Sequence, residues 1–306
     1  PWTVIPEQSE RRARARRSPA CPLPRHQPGR RILITTPSGR QVLVQGGSSP
    51  QALFNELGQA MPFRDRSVDV LLLTHPDGDH MIGQISVPER FRVSHALDTA
   101  ISQASADALP WQESLEGAGA VTHIEHAGGW VDLGDGVALW ILWPPPGGFE
   151  HEHADNENSL VAKLVYGDFS VLLTGDSGLP SEAVWVRADA PIGSTVLKVG
   201  YHGSNSATSA EFVAAVNPSV AVIQVGAEND YGHPTEEVLA ILDERMVLRT
   251  DLRGRIEISS DGRQMWIETE EGDLKLESRV DSVQALPCIG IGSTWPDAEQ
   301  PMEFLP

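Results

Sequence analysis

The stretch "VDVLLLTHPDGDH", residues 68 to 80, restricts the fold more than any other part of the chain. From Val68 to Leu73 a single polar residue, Asp69, interrupts an apolar run of strand length. A strand with one wet face would alternate, so this run predicts a strand covered on both faces. It ends abruptly in His75, Asp77, Asp79 and His80, four potential metal ligands within six positions. A rigid strand that hands over to a loop lets several side chains converge, which is how catalytic groups are commonly presented. The competing reading is a solvated turn bent at Asp77 and Gly78.

Two later stretches favour convergence. "LLTGDS" places Asp176 directly after an apolar strand, and "LKVGYHGSNS" does the same with His202. A surface turn does not explain three strand ends that each deliver a ligand-type residue. With only two cysteines, Cys21 and Cys288, neither a thiolate zinc site nor a disulfide framework is available. Any metal must therefore rest on histidine and carboxylate.

The surrounding pattern is mixed. "ILITTPSGRQVLVQGG" predicts two strands about a Pro-Ser-Gly turn, and "SPQALFNELGQAM" a helix with Ser49 as N-cap before Pro50. Further strands are expected in "VALWIL", in a hairpin over "SLVAKLVYG" and "FSVLLTG", and in "STVLKVG", "SVAVIQVG" and "GRIEISS". Helices are expected over "SAEFVAAV" and "PTEEVLAILDER". Strands and helices without strict alternation predict two sheets packed together with helices outside.

Charge limits the partners. The 23 Lys+Arg against 42 Asp+Glu leave a net charge of -19, which argues against a broad polyanion-binding surface. Nucleic acid would have to be gripped locally, and no stable nucleic-acid complex is expected. Eight arginines fall within residues 1 to 31, so the rest of the chain is more acidic still. No apolar run approaches the roughly 18 residues of a spanning helix, and the chain as given is expected to be soluble.

The His75 to His80 motif, "NENSLVAKLVYGDFSVLLTGD", "LKVGYHGSNSATSAEFVAAVNPSVAVIQVG" and "NDYGHPTEEVL" occur in an order that resembles the metallo-β-lactamase superfamily. More narrowly, they look like the soluble domain of ComEC-type DNA-internalisation competence proteins. The resemblance covers residues 32 to 270 and implies an α/β fold, a four-layer αββα sandwich with the metal site along one edge of the paired sheets. It implies that His75, Asp77, Asp79 and His80 form the first ligand motif, that Asp176 bridges two metals, and that His202 is the last histidine ligand. Where the family reads His-His-Gly-Ser, this chain has Tyr201, His202, Gly203 and Ser204. The second histidine is favoured, since a His followed by Gly after a strand is the wider pattern. The middle histidine of other members has no counterpart. Asn156, Asn158 or Ser159 occupies that stretch, and His151 and His153 are alternative donors.

The resemblance also implies chemistry. Two cations about 3.5 to 4 Å apart can activate water and clamp phosphoryl oxygens. Asp77 in place of an imidazole makes the first site harder, favouring manganese over zinc, with magnesium a further candidate. Asp79 and His233 are assigned to catalysis. Asn158, Ser159, Ser204 and His233 are assigned to substrate, with a structural, loop-holding role as the alternative for Asn158. Lys198 either contacts phosphate or faces outward from its strand. The implied function is a nuclease acting on single-stranded DNA during uptake, beside a membrane DNA channel and so at the cell envelope, or cytoplasmic without one. Two rivals stand beside it: a hydrolase of small phosphodiesters or esters, and a non-catalytic metal-stabilised module that binds DNA or a partner protein.

The N-terminus departs from the family, whose domain begins with a strand and loop like "FLDVGQGDA". The matching stretch here, Leu23 to Arg31, has neither strand character nor an acid. Read one nucleotide forward with suitable codons, it becomes "FLDISQGDA". Residues 1 to 31 are therefore read as frameshifted, with the first strand expected to be missing. Gln45 stands where the family commonly has Asp, and residues 271 to 306 are read as a loosely attached extension.

Overall fold

The run at the centre of the sequence forms the strand Ser67–Leu72, and its side chains divide between two cores. Val70 and Leu72 enter one buried cluster, whereas Val68 and Leu71 enter another. Burial on both faces is the reason the run does not alternate. A computed structural model describes residues 2–5, 30–227, 229–271 and 275–279, the first and last of these as backbone only.

Two sheets result. The nine-stranded sheet runs in the order Lys275–Arg279, Gln264–Thr269, Ile256–Ser260, Trp2–Ile5, Ile32–Thr35, Gln41–Val44, Ser67–Leu72, Arg92–Asp98 and Val121–Ile124. The seven-stranded sheet runs Met246–Arg249, Val220–Ile223, Val196–Lys198, Phe169–Leu173, Val161–Tyr166, Val137–Trp143 and Trp130–Gly134. Their inner faces share one core, in which Ile32, Val44 and Leu72 meet Leu139, Leu164 and Val196. On the outer face of the first sheet, the helices Pro50–Ala60, Gly78–Ile85 and Leu109–Ala118 bury Leu53, Leu57, Met81 and Trp111. On the other side, Leu179–Arg187, Ala210–Val216 and Glu236–Ile241 bury Trp185, Phe212 and Val238. The order helix, sheet, sheet, helix is the αββα sandwich.

One polar contact inside the second core matters for the site. Gln84 donates from Nε2 to the carbonyls of Leu43 (3.2 Å) and Leu72 (3.1 Å), and its Oε1 accepts from Trp111 Nε1 (3.0 Å). The helix Gly78–Ile85 is thereby tied to two strand ends, with the donors and acceptors of one buried amide satisfied.

Two expectations about the ends change. A first strand is present, because Trp2–Ile5 lies parallel to both Ile32–Thr35 and Ile256–Ser260. An extended "WTVI" fits that slot, and its β-branched and aromatic residues suit a central strand. The sheet also continues beyond residue 270, since Lys275–Arg279 pairs antiparallel with Gln264–Thr269. The Arg-rich run and the match to the family's opening loop lie outside the described residues, apart from Arg30 and Arg31. Among the described residues, no helix is long and apolar enough to cross a membrane.

Candidate metal centre

Four connections at strand ends build the centre. Ser67–Leu72 leads to Thr74 and His75, after which Asp77 opens the helix Gly78–Ile85 with Asp79 and His80 in its first turn. Asp77 is the helix N-cap but makes no capping hydrogen bond, which leaves its carboxylate for the cleft. That helix can lie against the loop after Gln41–Val44 only because both contact points are glycine. A Cβ on Gly83 would sit 2.0 Å from the Gly46 carbonyl oxygen. The Gly46 amide donates to the His80 carbonyl at 2.6 Å, fixing the turn that carries the imidazole.

In the second sheet, Phe169–Leu173 ends in Gly175 and Asp176, and the parallel strand Val196–Lys198 ends in the short turn Gly200–Gly203. Tyr201 and His202 both hold positive φ, 44° and 55°. Left-handed backbone at a non-glycine residue costs about 1 kcal/mol or more, and such strain tends to collect at functional sites. Here it turns the His202 ring inward.

The side chains meet in the buried space between the sheets. His80 Nε2 lies 3.2 Å from Asp176 Oδ2 and 3.4 Å from His202 Nε2. His202 Nε2 is 3.1 Å from both oxygens of Asp176. His75, His80 and Asp176 each offer a ligand atom within 4.8 Å of the others. Asp77 and Asp79 flank this group, with Asp77 Oδ2 3.5 Å from His75 Nε2 and Asp79 Oδ1 3.9 Å from His80 Nε2. Arg30 Nη1 pairs with Asp79 Oδ2 and lies 3.2 Å from His80 Nε2.

The hydrogen-bond pattern tests whether these groups suit a cation. His202 Nδ1 faces the Gln224 carbonyl at 2.9 Å, and a carbonyl only accepts, so Nδ1 carries the proton. In the neutral ring Nε2 is then a lone pair aimed at two carboxylate oxygens. Acceptor faces acceptor, an arrangement that a cation resolves. His75 is set similarly. Its Nδ1 lies 3.0 Å from Thr74 Oγ1 and 3.2 Å from Ser159 Oγ. Those hydroxyls already accept from Gln45 Nε2 (2.9 Å) and the Asp176 amide (3.1 Å), with a lone pair left for an imidazole N–H. His75 Nε2 and Asp176 Oδ1 are buried without a hydrogen-bond partner. Outer partners of this kind orient metal-binding imidazoles, and the residues fit a divalent ion.

Proton affinities agree with that reading. Burial pushes the His202 imidazole down to about 4 and His80 well below its usual range, against the pull of Asp176. For Asp176, burial works upward, but His202 and His80 outweigh it and hold the carboxyl well below its usual range. Asp77 is lowered chiefly by its hydrogen bond with His75. At neutral pH His80 and His202 are then neutral and Asp77 and Asp176 ionised, the forms that bind metal.

The centre opens into a cleft of about 440 Å³, lined among others by Arg30, Asp77, Asp79, Asp176, His202 and His233. Several expected substrate contacts lie elsewhere. Asn158 is 1% exposed and fully used, accepting from the Phe149 amide (2.6 Å) and donating to the carbonyls of Phe149 (2.9 Å) and Ala154 (2.7 Å). It holds the loop. Ser159 is completely buried behind His75 and Asp176, and Ser204 bonds to Ser206 away from the cleft lining. Lys198 does not face outward, and it is absent from the cleft lining. It is buried, donates to the Gly175 carbonyl at 2.7 Å, and stands 3.6 Å from Asp176 Oδ1. His151 and His153 are absent from the cleft wall, with the His153 amide donating to His151 Nδ1 at 3.2 Å. Sequence reasoning overlooked Thr74, Gln224 and Arg30. The Gln224 contact is a backbone carbonyl, which leaves no trace in residue type.

Residues 32–226 match the metallo-beta-lactamase superfamily, and the chain belongs to it. ComE operon protein 3 of Bacillus subtilis (strain 168) is 31% identical over 205 residues, 63% of this chain and 24% of that protein. Competence protein ComA of Neisseria gonorrhoeae is 37% identical over 127 residues, 40% of this chain and 18% of that protein. The chain thus spans a quarter or less of these curated relatives. Among solved structures, Zn(2+)-bound PqqB from Methylobacterium extorquens aligns with a TM-score of 0.48 at 13% identity, covering 71% of this chain and 84% of that one. YhfI from Bacillus subtilis aligns at 0.46 and 11% identity, covering 69% and 84%.

Proposed function

We propose that the chain is a metal-dependent phosphodiesterase domain that degrades single-stranded DNA during uptake, working beside a membrane channel at the cell envelope. The observation that carries this reading is the ligand-type set itself. Three imidazoles and three carboxylates converge where an open polar cleft meets the core, with Asp77, Asp79, Asp176 and His202 on its wall and His75 and His80 buried behind. His75, His80 and His202 with Asp77, Asp79 and Asp176 would hold two divalent ions. Oxygen-rich sites favour manganese or magnesium more than an all-imidazole first site would. Bound there, the ions would supply Lewis acidity to water and to the phosphoryl oxygens.

The remaining roles fall to groups on the cleft wall. Asp79 is 40% exposed and sits at the first turn of its helix, where it can accept a proton from attacking water. His233 is kept neutral by burial first and by Arg30 second, and offers a hydrogen bond to a phosphate or leaving oxygen. Because the chain carries a net charge of -19, its grip on DNA is short and local rather than extended. The competence proteins among its relatives support DNA as the substrate class.

The test is metal-stripped protein with end-labelled single-stranded DNA and manganese, magnesium or zinc, beside Asp79→Ala and His202→Ala. Cleavage should require added metal and fall more than roughly 100-fold in both variants, beyond the usual effect of outer partners. Hydrolysis of a nitrophenyl phosphodiester with none of DNA would instead select the small-substrate hydrolase.

A further inference from the structure

The cleft has an aromatic rim whose outer ring, Tyr231, has no role above. Tyr231 is 74% exposed although it lines the same cleft as Asp77, Asp79 and Asp176. Its ring stacks on His233 at 6.0 Å between centroids and 15° between planes, leaving the opposite face to solvent. The turn beneath it is closed by one side chain. Asn229 donates from Nδ2 to the carbonyls of Gly226 (3.0 Å) and His233 (2.9 Å), and its Oδ1 accepts from the His233 amide (2.9 Å). The backbone on either side of the ring is tied down and the ring rests on His233 before any ligand arrives, which lowers the ordering cost of binding.

An exposed aromatic ring is usually turned inward or covered, because leaving it in water forgoes a large apolar area. Here it stands beside a cluster of acids in a chain of net charge -19. An anionic substrate gains nothing from that average field, so a neutral, flat part of the substrate must provide part of the grip. A nucleobase has such a face, and stacking on an aromatic side chain is worth about 1–3 kcal/mol per base without regard to sequence.

We propose that the stacked pair of Tyr231 and His233 is a nucleobase subsite that receives an unstacked base next to the phosphate held at the metal centre. The subsite deepens the DNA reading and rests on it for its place in the reaction. It makes the cleft select single-stranded over duplex DNA, since a paired base cannot lay its face on Tyr231 without leaving its own stack.

Two measurements with the full chain separate the subsite from the nuclease reading. In the first, metal-loaded protein is titrated against a single-stranded oligonucleotide with nuclease-resistant phosphorothioate linkages that carries 2-aminopurine. Stacking should quench the base fluorescence with wild type and with Tyr231→Phe, and the quench should be lost with Tyr231→Ala. In the second, cleavage is compared on an ordinary oligonucleotide and on one made abasic next to the cleaved bond. Tyr231→Ala should lower kcat/KM about 10-fold on the first substrate, chiefly through KM, and the penalty should shrink below about twofold on the abasic one. Cleavage without quenching, or an equal penalty on both substrates, overturns the subsite and leaves the nuclease reading standing. Quenching without cleavage does the reverse.

Discussion

Two groups of buried acids lie within a few residues of each other, and they are built on opposite rules. Glu157 and Glu182 are 5% and 1% exposed, and backbone amides satisfy them. Glu182 accepts from Thr208 at 2.5 Å and Ser209 at 2.8 Å, and Glu157 accepts from the Ser181 amide at 3.1 Å and from its hydroxyl. Asp176 is buried as deeply, yet its Oδ1 has no hydrogen-bond partner, the Nε2 lone pair of His202 faces both its oxygens, and the Lys198 ammonium stands 3.6 Å off, beyond hydrogen-bond reach. A buried carboxylate with its acceptors filled is a structural element. One that faces an imidazole lone pair is placed to hold a cation. Burial alone does not tell the two apart; the count of donors does.

Removing the saturated acid should sharpen this contrast most. Glu182→Gln turns one oxygen into an NH₂ that faces a backbone N–H, so two donors meet. Urea denaturation should show a loss of about 2–3 kcal/mol, with metal content unchanged. If the variant lost metal while keeping its stability, the division between the two groups would collapse.

Titration should set the imidazole beside Asp176 against the saturated acid. His202 titrates near 4 in the folded protein and near 6.5 when unfolded, so between those values the unfolded chain binds the extra proton. Stability of the metal-free protein from this group therefore falls as pH drops from about 6.5 to about 4. Glu182 is raised by burial, so its effect has the opposite sign, with stability lost as pH rises through its folded value. The melting temperature against pH for wild type and for Glu182→Gln should show both slopes. A flat wild-type profile between pH 6.5 and 4 would mean that the imidazoles are not held neutral.

A smaller effect is expected at Arg30, whose guanidinium touches both Asp79 and His80. It supplies positive charge where an ion would bind, so Arg30→Ala should tighten manganese roughly fivefold, about 1 kcal/mol. Calorimetric titration measures this directly. Equal or weaker binding in the variant would remove Arg30 as a competitor.

The sandwich was legible from the chain because apolar runs of strand length mark Ser67–Leu72 and the hairpin of Val161–Tyr166 and Phe169–Leu173 as strands covered on both faces, as their burial shows. The ligand-type residues were legible too, since each follows an apolar strand and sequence records residue type directly. What was hidden depends on where a side chain points. Ser159 and Asn158 were assigned to substrate because they fill the stretch where the family has a ligand, but the turn after residue 157 buries both. Lys198 follows strand alternation, yet the face it selects lies under Asp176. Trp2–Ile5 was passed over as a strand because only its pairing with Ile32–Thr35 and Ile256–Ser260, far away in sequence, gives it a place.

The claim on which the rest depends is that the unsatisfied acceptors hold metal, and equilibrium dialysis of the purified chain against manganese, followed by metal counting, tests it most directly. Two equivalents retained by wild type, with Asp176→Asn losing both while its circular dichroism stays native, is the result expected of a bridging carboxylate. Retention of no manganese, magnesium or zinc by a folded wild-type chain would contradict the account.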